Sequence, residues 1–279
     1  MSLSNVGIVL STADPAGVKI LDAFRELGFS ETADTRLLKN DSIYLVVLDH
    51  LMVPAEKYRV PDNPKPYPLD FDSLAGELSL KYLVLASRHW SESGSPCLTV
   101  HPTGNFDTAM YGGRPRELQY TMANPMRDIF LELVEHPPKG YAVSLEATHH
   151  SPTQFRTPMF FAELGSSERE WSDANAAKYL ASSICRGILR NGRAPAAIGF
   201  GGGHYCPSFS FMEMELAFGH ICAKYALQSL NENLIRQMID RTTDGVQKAV
   251  LDKGMKGHER KMVASSLKEI GLQDIVEKK

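Results

Sequence analysis

Short apolar runs alternate with amphipathic stretches along most of this chain. Six runs rich in aliphatic or β-branched residues have the length of strands: VGIVL (6–10), SIYLVVL (42–48), KYLVLAS (81–87), CLTV (97–100), YAVSL (141–145) and AAIGF (196–200). Runs this apolar are typical of strands buried on both faces. The pattern therefore predicts an α/β fold with a mostly parallel or mixed sheet flanked by helices.

The helices are marked by residues suited to their ends. Asp14 and Pro15 fit the N-cap and first position of a helix that ends at Gly28. Further helices are predicted within 123–136 and 172–192, and we expect a helical C-terminal region at 211–279. We expect a single α/β domain over 1–279, with a proline-rich flap at 53–68 that serves as a lid or a partner-binding segment.

Composition limits the classes of function. The chain is 43% hydrophobic, which supports a large core, and its net charge of -3 gives no general support for nucleic-acid binding. A local basic surface would be needed, and the ten Lys/Arg against seven Asp/Glu over 236–279 permit phosphate contacts without indicating them. The four cysteines lack C-x-x-C spacing, and no signal peptide or membrane span is recognisable, so we expect a cytoplasmic protein.

Six of the nine histidines follow the predicted strands rather than scatter along the chain. They are His50, His89, His101, the pair His149 and His150, and His204. Because the carboxyl ends of parallel strands meet at one edge of a sheet, these imidazoles are predicted to share one crevice. Glu146, on the polar face of the strand before the histidine pair, is expected to join them.

Imidazoles gathered around a carboxylate serve either as metal ligands or as general acids and bases. Adjacent His149 and His150 cannot both face one metal from a regular strand, so one of them is expected to orient a ligand or to contact substrate. His220, inside an apparent helical pattern, fits core packing or a supporting role as well as direct catalysis. The residues alone leave these alternatives open.

Two glycine-containing stretches are further candidates. GFGGGHY (199–205) places Gly201, Gly202 and Gly203 directly after a strand, where the backbone can approach a ligand and present N–H groups. Nucleotide-binding and nucleophile-elbow motifs are absent from the sequence. TVHPTGN (99–105) places Thr103 and Asn105 where they either form an ordinary turn or hold a substrate oxygen.

Taken together, SRH (87–89), TVHPTGN (99–105), LEATHHSPT (145–153), GFGGGHY (199–205), GHI (219–221) and KGMKG (253–257) resemble the archaeal and plant-type D-aminoacyl-tRNA deacylases. The resemblance implies a fold related to the phosphorylase and peptidyl-tRNA hydrolase group, zinc as cofactor, and hydrolysis of the ester between a D-amino acid and the 3′ end of tRNA. The implied site is His89, His101, Asn105, Glu146, His149, His150, Gly201, Gly202, Gly203 and His204. Where the family usually has glycine, in H-H-G-P, this chain has Ser151, so the backbone at this position need not follow the family's geometry, whereas the histidines are unaffected.

Specific roles are predicted from the residues and the resemblance together. Metal ligation is assigned to His89, His101, His150 and His204, catalysis to Glu146, His101, His150 and His204, and substrate contact to Thr103, Asn105, His149, Gly201, Gly202 and Gly203. We expect a monomer that contacts only the acceptor end of D-aminoacyl-tRNA, with no membrane or stable protein partner. A metal-dependent peptidase or amidohydrolase, or a non-catalytic binder of the tRNA end, remains an alternative.

Overall fold

The computed structural model describes residues 5–51, 67 and 69–277. The proline-rich segment at 53–68 therefore lies outside the described residues, apart from Tyr67. Fourteen strands and eight α-helices are formed over the described ranges. None of these helices has both the length and the apolar character needed to cross a membrane.

The strands form two main sheets and one short ribbon. They are β1 (Asn5–Ser11), β2 (Ser30–Glu31), β3 (Leu37–Asn40), β4 (Ile43–Leu48), β5 (Leu80–Trp90), β6 (Cys97–Pro102), β7 (Gly104–Asn105), β8 (Glu117–Leu118), β9 (Ala142–Leu145), β10 (Met159–Ser166), β11 (Ala196–Phe200), β12 (Ala217–Cys222), β13 (Val246–Leu251) and β14 (Ile275–Glu277).

The larger sheet has eight strands in the order β2-β3-β4-β1-β5-β10-β6-β9. Strands β4, β1, β5 and β10 run parallel, and β6 and β9 run parallel to each other but antiparallel to β10. A smaller sheet has the order β12-β11-β13-β14, with all neighbours parallel. The predicted α/β class with a mostly parallel or mixed sheet is confirmed.

The helices are α1 (Pro15–Glu26), α2 (Phe71–Leu78), α3 (Ala123–Glu135), α4 (Glu168–Trp171), α5 (Ala174–Arg190), α6 (Pro207–Met212), α7 (Glu232–Asp240) and α8 (Gly257–Ile270), with a 3-10 helix at Lys224–Ser229. The predicted start of α1 is confirmed, because the Asp14 carboxylate accepts the Ala16 N–H and Pro15 takes the first position. Gly28 follows with a φ of +90°, as a helix C-terminus of this kind requires.

The expectation of a helical region at 211–279 is wrong. Three strands of the smaller sheet, β12, β13 and β14, lie in this range together with α7 and α8. His220 accordingly lies on a buried strand rather than in a helix. Short apolar runs such as AFGHIC have no period long enough to distinguish a strand from a buried helix, and pairing with β11 decides the outcome here.

The core explains why the strands are apolar on both faces. Within β1, Ile8 and Leu10 pack into the cluster that contains α1, α3 and α5, whereas Val9 packs on the opposite side with α2. The first cluster continues into the smaller sheet through Ala197 and Phe218. A continuous core thus joins both sheets and holds their carboxyl-terminal ends in fixed positions relative to each other.

Candidate active site

Three neighbouring strands present polar side chains on one face of the larger sheet. In β5, Ser87 and His89 are two residues apart and therefore point to the same side. Ser87 is paired with Glu163 of β10, and His101 of β6 is paired with Phe161, two residues before Glu163. Because side chains of paired residues share a face, strand register alone places His89, His101 and Glu163 together.

Gly165 provides the space that His89 occupies. A Cβ atom at Gly165 would lie 2.6 Å from the His89 Cβ and 2.9 Å from its Cδ2. The indole N–H of Trp171 donates to the His89 carbonyl at 2.8 Å, which fixes the strand end. A side chain larger than hydrogen at Gly165 would displace His89 from the cluster.

The histidine pair follows β9 on an irregular turn. His150 has a φ of +42°, in the left-handed region, so the chain does not continue as an extended strand. Both rings therefore face His101, with ring centroids 4.2 Å away for His149 and 5.0 Å away for His150. The expectation that adjacent histidines could not face one centre assumed a regular strand, and the turn overturns it.

Glu146 lies at the centre of the cluster and is fully buried. Its Oε1 is 3.2 Å from the His89 Nδ1, and its Oε2 is 2.9 Å from the His204 Nε2 and 3.5 Å from the His149 Nε2. None of these contacts has the angles of a hydrogen bond, and both oxygens are without a hydrogen-bond partner among the described residues. A catalytic role or a bound ion or water accounts for many buried polar atoms of this kind.

Glu163 is the second buried carboxylate. Its Oε1 accepts the Ser87 hydroxyl at 2.8 Å, and its Oε2 lies 3.3 Å from the His89 Nδ1. The same Oε2 is 3.6 Å from the His101 Nε2, a buried nitrogen that makes no hydrogen bond within the described part of the chain. Glu163 was not predicted as a site residue, although a glutamate inside the apolar run MFFAEL is an unusual feature.

The cluster divides into charged and neutral groups. Burial favours neutral carboxyls, but contacts with His204, His101 and His89 outweigh it and lower the pKa values of Glu146 and Glu163. Burial likewise opposes the charge on His89 and His101, yet hydrogen bonds and the two carboxylates raise both pKa values, that of His89 to about 12. Two buried negative charges are therefore balanced by two imidazolium ions in the metal-free protein.

His149 and His150 behave in the opposite way. Burial, followed by the positive charge of His101, lowers the pKa of His149 well below its ordinary value and that of His150 to about 4. Both rings are therefore neutral near pH 7, the state in which imidazole binds metals. Neutral and charged histidines lie in contact because only two carboxylates are available to compensate charge.

Main-chain carbonyls orient three of these rings. The Nδ1–H groups of His101, His149 and His150 donate to the carbonyls of Pro102 (3.2 Å), Ala147 (2.7 Å) and Ser151 (2.6 Å). This pattern leaves Nε2 as the nitrogen that presents a lone pair in the neutral rings of His149 and His150, and in His101 once its second proton is released. Metal-binding histidines in proteins are commonly held in this way.

The donor set fits a divalent metal. Candidate ligand atoms of three groups lie within 4.8 Å of one another: His101, His149 and His150; Glu146, His149 and His204; and His89, Glu146 and Glu163. Imidazole and carboxylate are the ligands that zinc takes in catalytic sites. The unpartnered atoms of Glu146 and His101 agree with this, because a cation would satisfy them in place of protons.

His220 supports the turn that carries the histidine pair. Its Nε2–H donates to the Gln119 carbonyl at 2.9 Å, and its Nδ1 accepts the Thr148 hydroxyl at 3.1 Å. Burial lowers the His220 pKa to about 3, which keeps the ring neutral. The Thr148 hydroxyl also accepts the Ile221 N–H, so this network fastens the residue before His149 to β12.

The glycine loop follows β11 and delivers His204. Gly201 and Gly202 have φ values of +98° and +73°, which favour glycine, and the loop turns the chain back towards Glu146. The Ala147 N–H donates to the His204 carbonyl at 2.9 Å, which ties this loop to the histidine turn. The side chain of His204 is 37% exposed, so it lies at the opening of the cluster.

A cleft of about 560 Å³ leads to the histidine cluster. From the cluster it extends past the ends of β1, β4 and β5, where Asp14, His50, Arg88 and Trp90 line it. Its volume is within the range of small-molecule sites, roughly 300–1,000 Å³. His50 thus reaches the cleft as predicted, although it is not part of the cluster.

Comparison with known proteins identifies the family. A family model described as D-aminoacyl-tRNA deacylase matches residues 77–275, a range that contains the whole histidine cluster. A protein of Thermococcus onnurineus named D-aminoacyl-tRNA deacylase is 35% identical over 276 residues, which cover 96% of this chain and 98% of that protein. The chain belongs to the D-aminoacyl-tRNA deacylase family.

Other relatives of the deacylase family agree in extent. The protein of that name from Pyrococcus abyssi is 33% identical, with 96% of this chain and 98% of its own length covered. That of Ignicoccus hospitalis is 36% identical over 78% of this chain and 87% of its own. A crystal structure of a conserved protein of unknown function, AF0625, superposes with a TM-score of 0.84 at 25% identity, covering 99% of this chain and 96% of that one.

Two predicted substrate contacts of this deacylase-family chain lie beneath the cleft surface. The Thr103 hydroxyl donates to the Pro152 carbonyl at 2.7 Å, and the Asn105 amide donates to the Gly112 carbonyl at 2.9 Å. Both side chains are buried and join the loops on either side of the site. Ser151 does not have a positive φ, so the position after the histidine pair accepts serine without backbone strain.

Proposed function

We propose that this chain hydrolyses the ester bond of D-aminoacyl-tRNA and releases the D-amino acid and free tRNA. Membership of the deacylase family supports the reaction and the substrate class. The convergence of five histidines on Glu146 and Glu163 is the observation that carries the chemistry. Ester hydrolysis needs an activated water, a partner for the oxyanion and a proton for the leaving oxygen.

A zinc ion is the cofactor that we propose for this site. His101, His149 and His150 would hold it, since each has its Nδ1–H engaged by a carbonyl, and this leaves Glu146 and His204, the latter also predicted as a ligand, for proton transfer. A bound zinc ion supplies Lewis acidity, which makes a water molecule nucleophilic at neutral pH. This assignment adds His149 to the predicted ligands and gives His89 a different task.

The task proposed for His89 is electrostatic. Its Nδ1 lies between Glu146 and Glu163, and its Nε2 is 2.8 Å from the Tyr205 hydroxyl. With both nitrogens engaged, His89 orients the two carboxylates and holds a positive charge next to them. Glu146 then keeps a fixed position from which it can take a proton from the attacking water.

His204 is the residue that we propose as proton donor to the leaving 3′ oxygen of the ribose. Its Nε2 is 2.9 Å from Glu146, and its partly exposed ring lies where the cluster opens to the outside. A proton taken from water by Glu146 can reach His204 over this contact. The half-buried Gly202 and the exposed Gly203 are proposed to face the ester carbonyl through their N–H groups.

Release of labelled D-tyrosine from D-Tyr-tRNA tests the proposal, beside L-Tyr-tRNA and a free D-tyrosine ester, with and without a chelator. Cleavage confined to the D-aminoacyl-tRNA supports the proposed function, and loss of activity on chelation with recovery on zinc addition supports the metal. Equal cleavage of the D and L forms, or no cleavage after zinc is resupplied, would contradict it.

A matched pair of histidine variants adds specificity to this test. His150→Asn is expected to lower the rate by about 100-fold or more, because the side chain lies inside the cluster. His136→Asn changes an exposed histidine at the end of α3 and is expected to leave the rate unchanged. A similar loss in both variants would show that the effect is not specific to the cluster.

A further inference from the structure

The smaller sheet presents three loops at one edge. Because β11, β12 and β13 are parallel neighbours, their carboxyl ends lie side by side. The glycine loop Gly201–Gly203 follows β11, Lys224 and Tyr225 follow β12, and residues 252–256 follow β13. This edge adjoins the candidate active site, since His204 directly succeeds the glycine loop.

Lysines surround the glycine loop on two sides. The Lys224 N–H donates to the Gly202 carbonyl at 3.0 Å, so the main chain of this lysine is hydrogen-bonded directly to the glycine loop. On the other side Met255 lies so close that a Cβ on Gly201 would be 2.8 Å from its Cγ. Lys253 and Lys256 flank Met255, and all three lysines are exposed.

Acidic side chains do not neutralise these lysines. No ion pair of Lys224, Lys253 or Lys256 is formed within the described residues. Asp252 is 7% exposed, and its carboxylate accepts the Gly254 N–H at 2.8 Å within the loop. The edge therefore carries three lysines without an ion pair in the ranges that the structure describes, on a chain whose net charge is -3, and the nearby carboxylates of Asp252 and Glu259 accept main-chain N–H groups of the same segment, those of Gly254 and Lys256.

The lysine-bearing loops are fixed rather than loosely attached. The Asp252 N–H donates to the Phe200 carbonyl at 2.9 Å, and the Arg260 guanidinium donates to the Asp252 carbonyl at 3.0 Å. A loop whose main chain is held in this way loses less conformational freedom when its lysines bind an anion. The fold thus sets the backbone positions from which the three lysine side chains extend.

An exposed aromatic ring lies between the lysines and the active site. Tyr225 is 56% exposed, although its hydroxyl is 3.5 Å from the His204 Nδ1. Exposed aromatic rings beside positive charges are typical of surfaces that bind single-stranded nucleic acid, where bases stack and phosphates pair. The 3′ end of tRNA is such a strand, and its ester must reach His204.

We infer that Lys224, Lys253 and Lys256 bind the backbone phosphates of the single-stranded 3′ end of tRNA and lead it past Tyr225 to His204. This inference rests on the proposed function, because it assigns the tRNA-binding surface of the same site. It also explains how a chain with negative net charge binds a polyanion, since a local surface suffices.

The test compares two substrates that share the ester but differ in phosphates. The variant Lys224→Gln/Lys253→Gln/Lys256→Gln is assayed on D-Tyr-tRNA and on 3′-D-tyrosyl adenosine, which has no phosphate. We expect kcat/KM to fall by at least about 10-fold on D-Tyr-tRNA, mainly through KM, and to stay within about twofold on the nucleoside ester. The salt dependence on D-Tyr-tRNA should also weaken, by roughly one unit of log–log slope for each phosphate that the variant no longer binds.

A control variant with the same change of charge is available. Lys81 is the second residue of β5, at the strand end opposite His89. Lys139 precedes β9, the edge strand of the larger sheet, and Lys268 is in the last turn of α8, so none of them lies on the three lysine-bearing loops. Replacing these three exposed lysines by glutamine should leave both substrates unaffected. Equal losses in the two triple variants would show a general charge effect and overturn the inference.

Direct binding separates this inference from the proposed function. Fluorescence anisotropy measures the Kd of two 5′-labelled tRNAs that carry no amino acid, one intact and one without the 3′-terminal CCA. We expect the triple variant at 224, 253 and 256 to weaken binding of the intact tRNA but not of the shortened one. An unchanged Kd for intact tRNA in the triple variant, or equal losses of kcat/KM on D-Tyr-tRNA and on the adenosine ester, would overturn the inference. If the unmodified protein hydrolyses neither substrate but its binding of tRNA depends on the three lysines, only the proposed function is overturned.

Discussion

Replacing Glu163 by glutamine removes one of the two buried charges that stabilise the imidazolium ions of His89 and His101. Breaking a buried ion pair while its partner stays in place costs about 3–5 kcal/mol. Because Glu146 remains beside His89 and an imidazole can release its proton, we expect the lower end, about 3 kcal/mol of unfolding free energy near pH 6.5. The variant should still fold, since the substitution keeps the side-chain volume.

The change of the unfolding free energy with pH is a more specific test than its decrease at a single pH. His89 and His101 have folded-state pKa values above the ordinary 6.5, so their contribution is complete below pH 6.5 and is lost as the pH rises. Each proton held only by the folded state lowers stability by about 1.4 kcal/mol per pH unit. Between pH 7 and 8.5 the metal-free protein should lose about 2 kcal/mol through His89, whose pKa is about 12, together with any loss through His101, and Glu163→Gln should lose less than the unmodified protein.

Urea unfolding in the presence of a chelator, followed by circular dichroism at pH 6.5, 7 and 8.5, measures both quantities. Ser87→Ala is the matched control, because it removes the hydrogen bond to Glu163 Oε1 but leaves the charge. Ser87→Ala should lower the free energy of unfolding by about 1.5–3 kcal/mol, but this free energy should change with pH as steeply as in the unmodified protein. Identical slopes for the unmodified protein and Glu163→Gln, or stability that rises from pH 7 to 8.5, would refute the charge balance described for the cluster.

Other expectations concern the loops and the metal. Gly201→Ala should lower the free energy of unfolding by about 2 kcal/mol or more, measured by urea unfolding, because φ is +98° and the new Cβ would lie 2.8 Å from atoms of Asp252 and Met255. Gly203→Ala is the control and should be tolerated, because the atom nearest to its new Cβ is 3.6 Å away. Thr148→Val should weaken zinc binding by about 10-fold because its hydrogen bond to His220 is removed, and unchanged affinity would argue against that role. Zinc titration by calorimetry in two buffers of different ionisation enthalpy should show proton release, since a cation replaces the proton charge on His101, and buffer-independent heats would contradict this.

Much of the site could be predicted because histidines at strand ends are visible in a sequence. The apolar runs before His89, His101 and His204 are clear, but the expected reason for their convergence is wrong. Strand β6 runs antiparallel to β5 and β10, and β11 belongs to the smaller sheet, so the three strands reach the site from different directions. Glu163 could not be placed in this way, because its position depends on the pairing of β10 between β5 and β6. Pairing between strands distant in sequence is not encoded in any local pattern.

The C-terminal region illustrates a different limit. Six-residue runs such as AFGHIC and VQKAVL are too short for periodicity to separate strand from helix, and their neighbours α7 and α8 are genuine helices. The turn at His150 is a third case, since a positive φ at a histidine is uncommon and depends on the surrounding contacts. Local preference was overridden there by tertiary structure.

The carbonyls that hold the Nδ1–H groups of His101, His149 and His150 belong to the main chain. A side-chain partner can be removed by a single substitution, but a carbonyl is present whatever residue occupies the position. Which nitrogen of each ring is available for chemistry is consequently a property of the backbone path. Engineers who wish to change the amino-acid specificity of the cleft can therefore vary the surrounding side chains widely without resetting the imidazoles, provided that the turn after β9 is preserved.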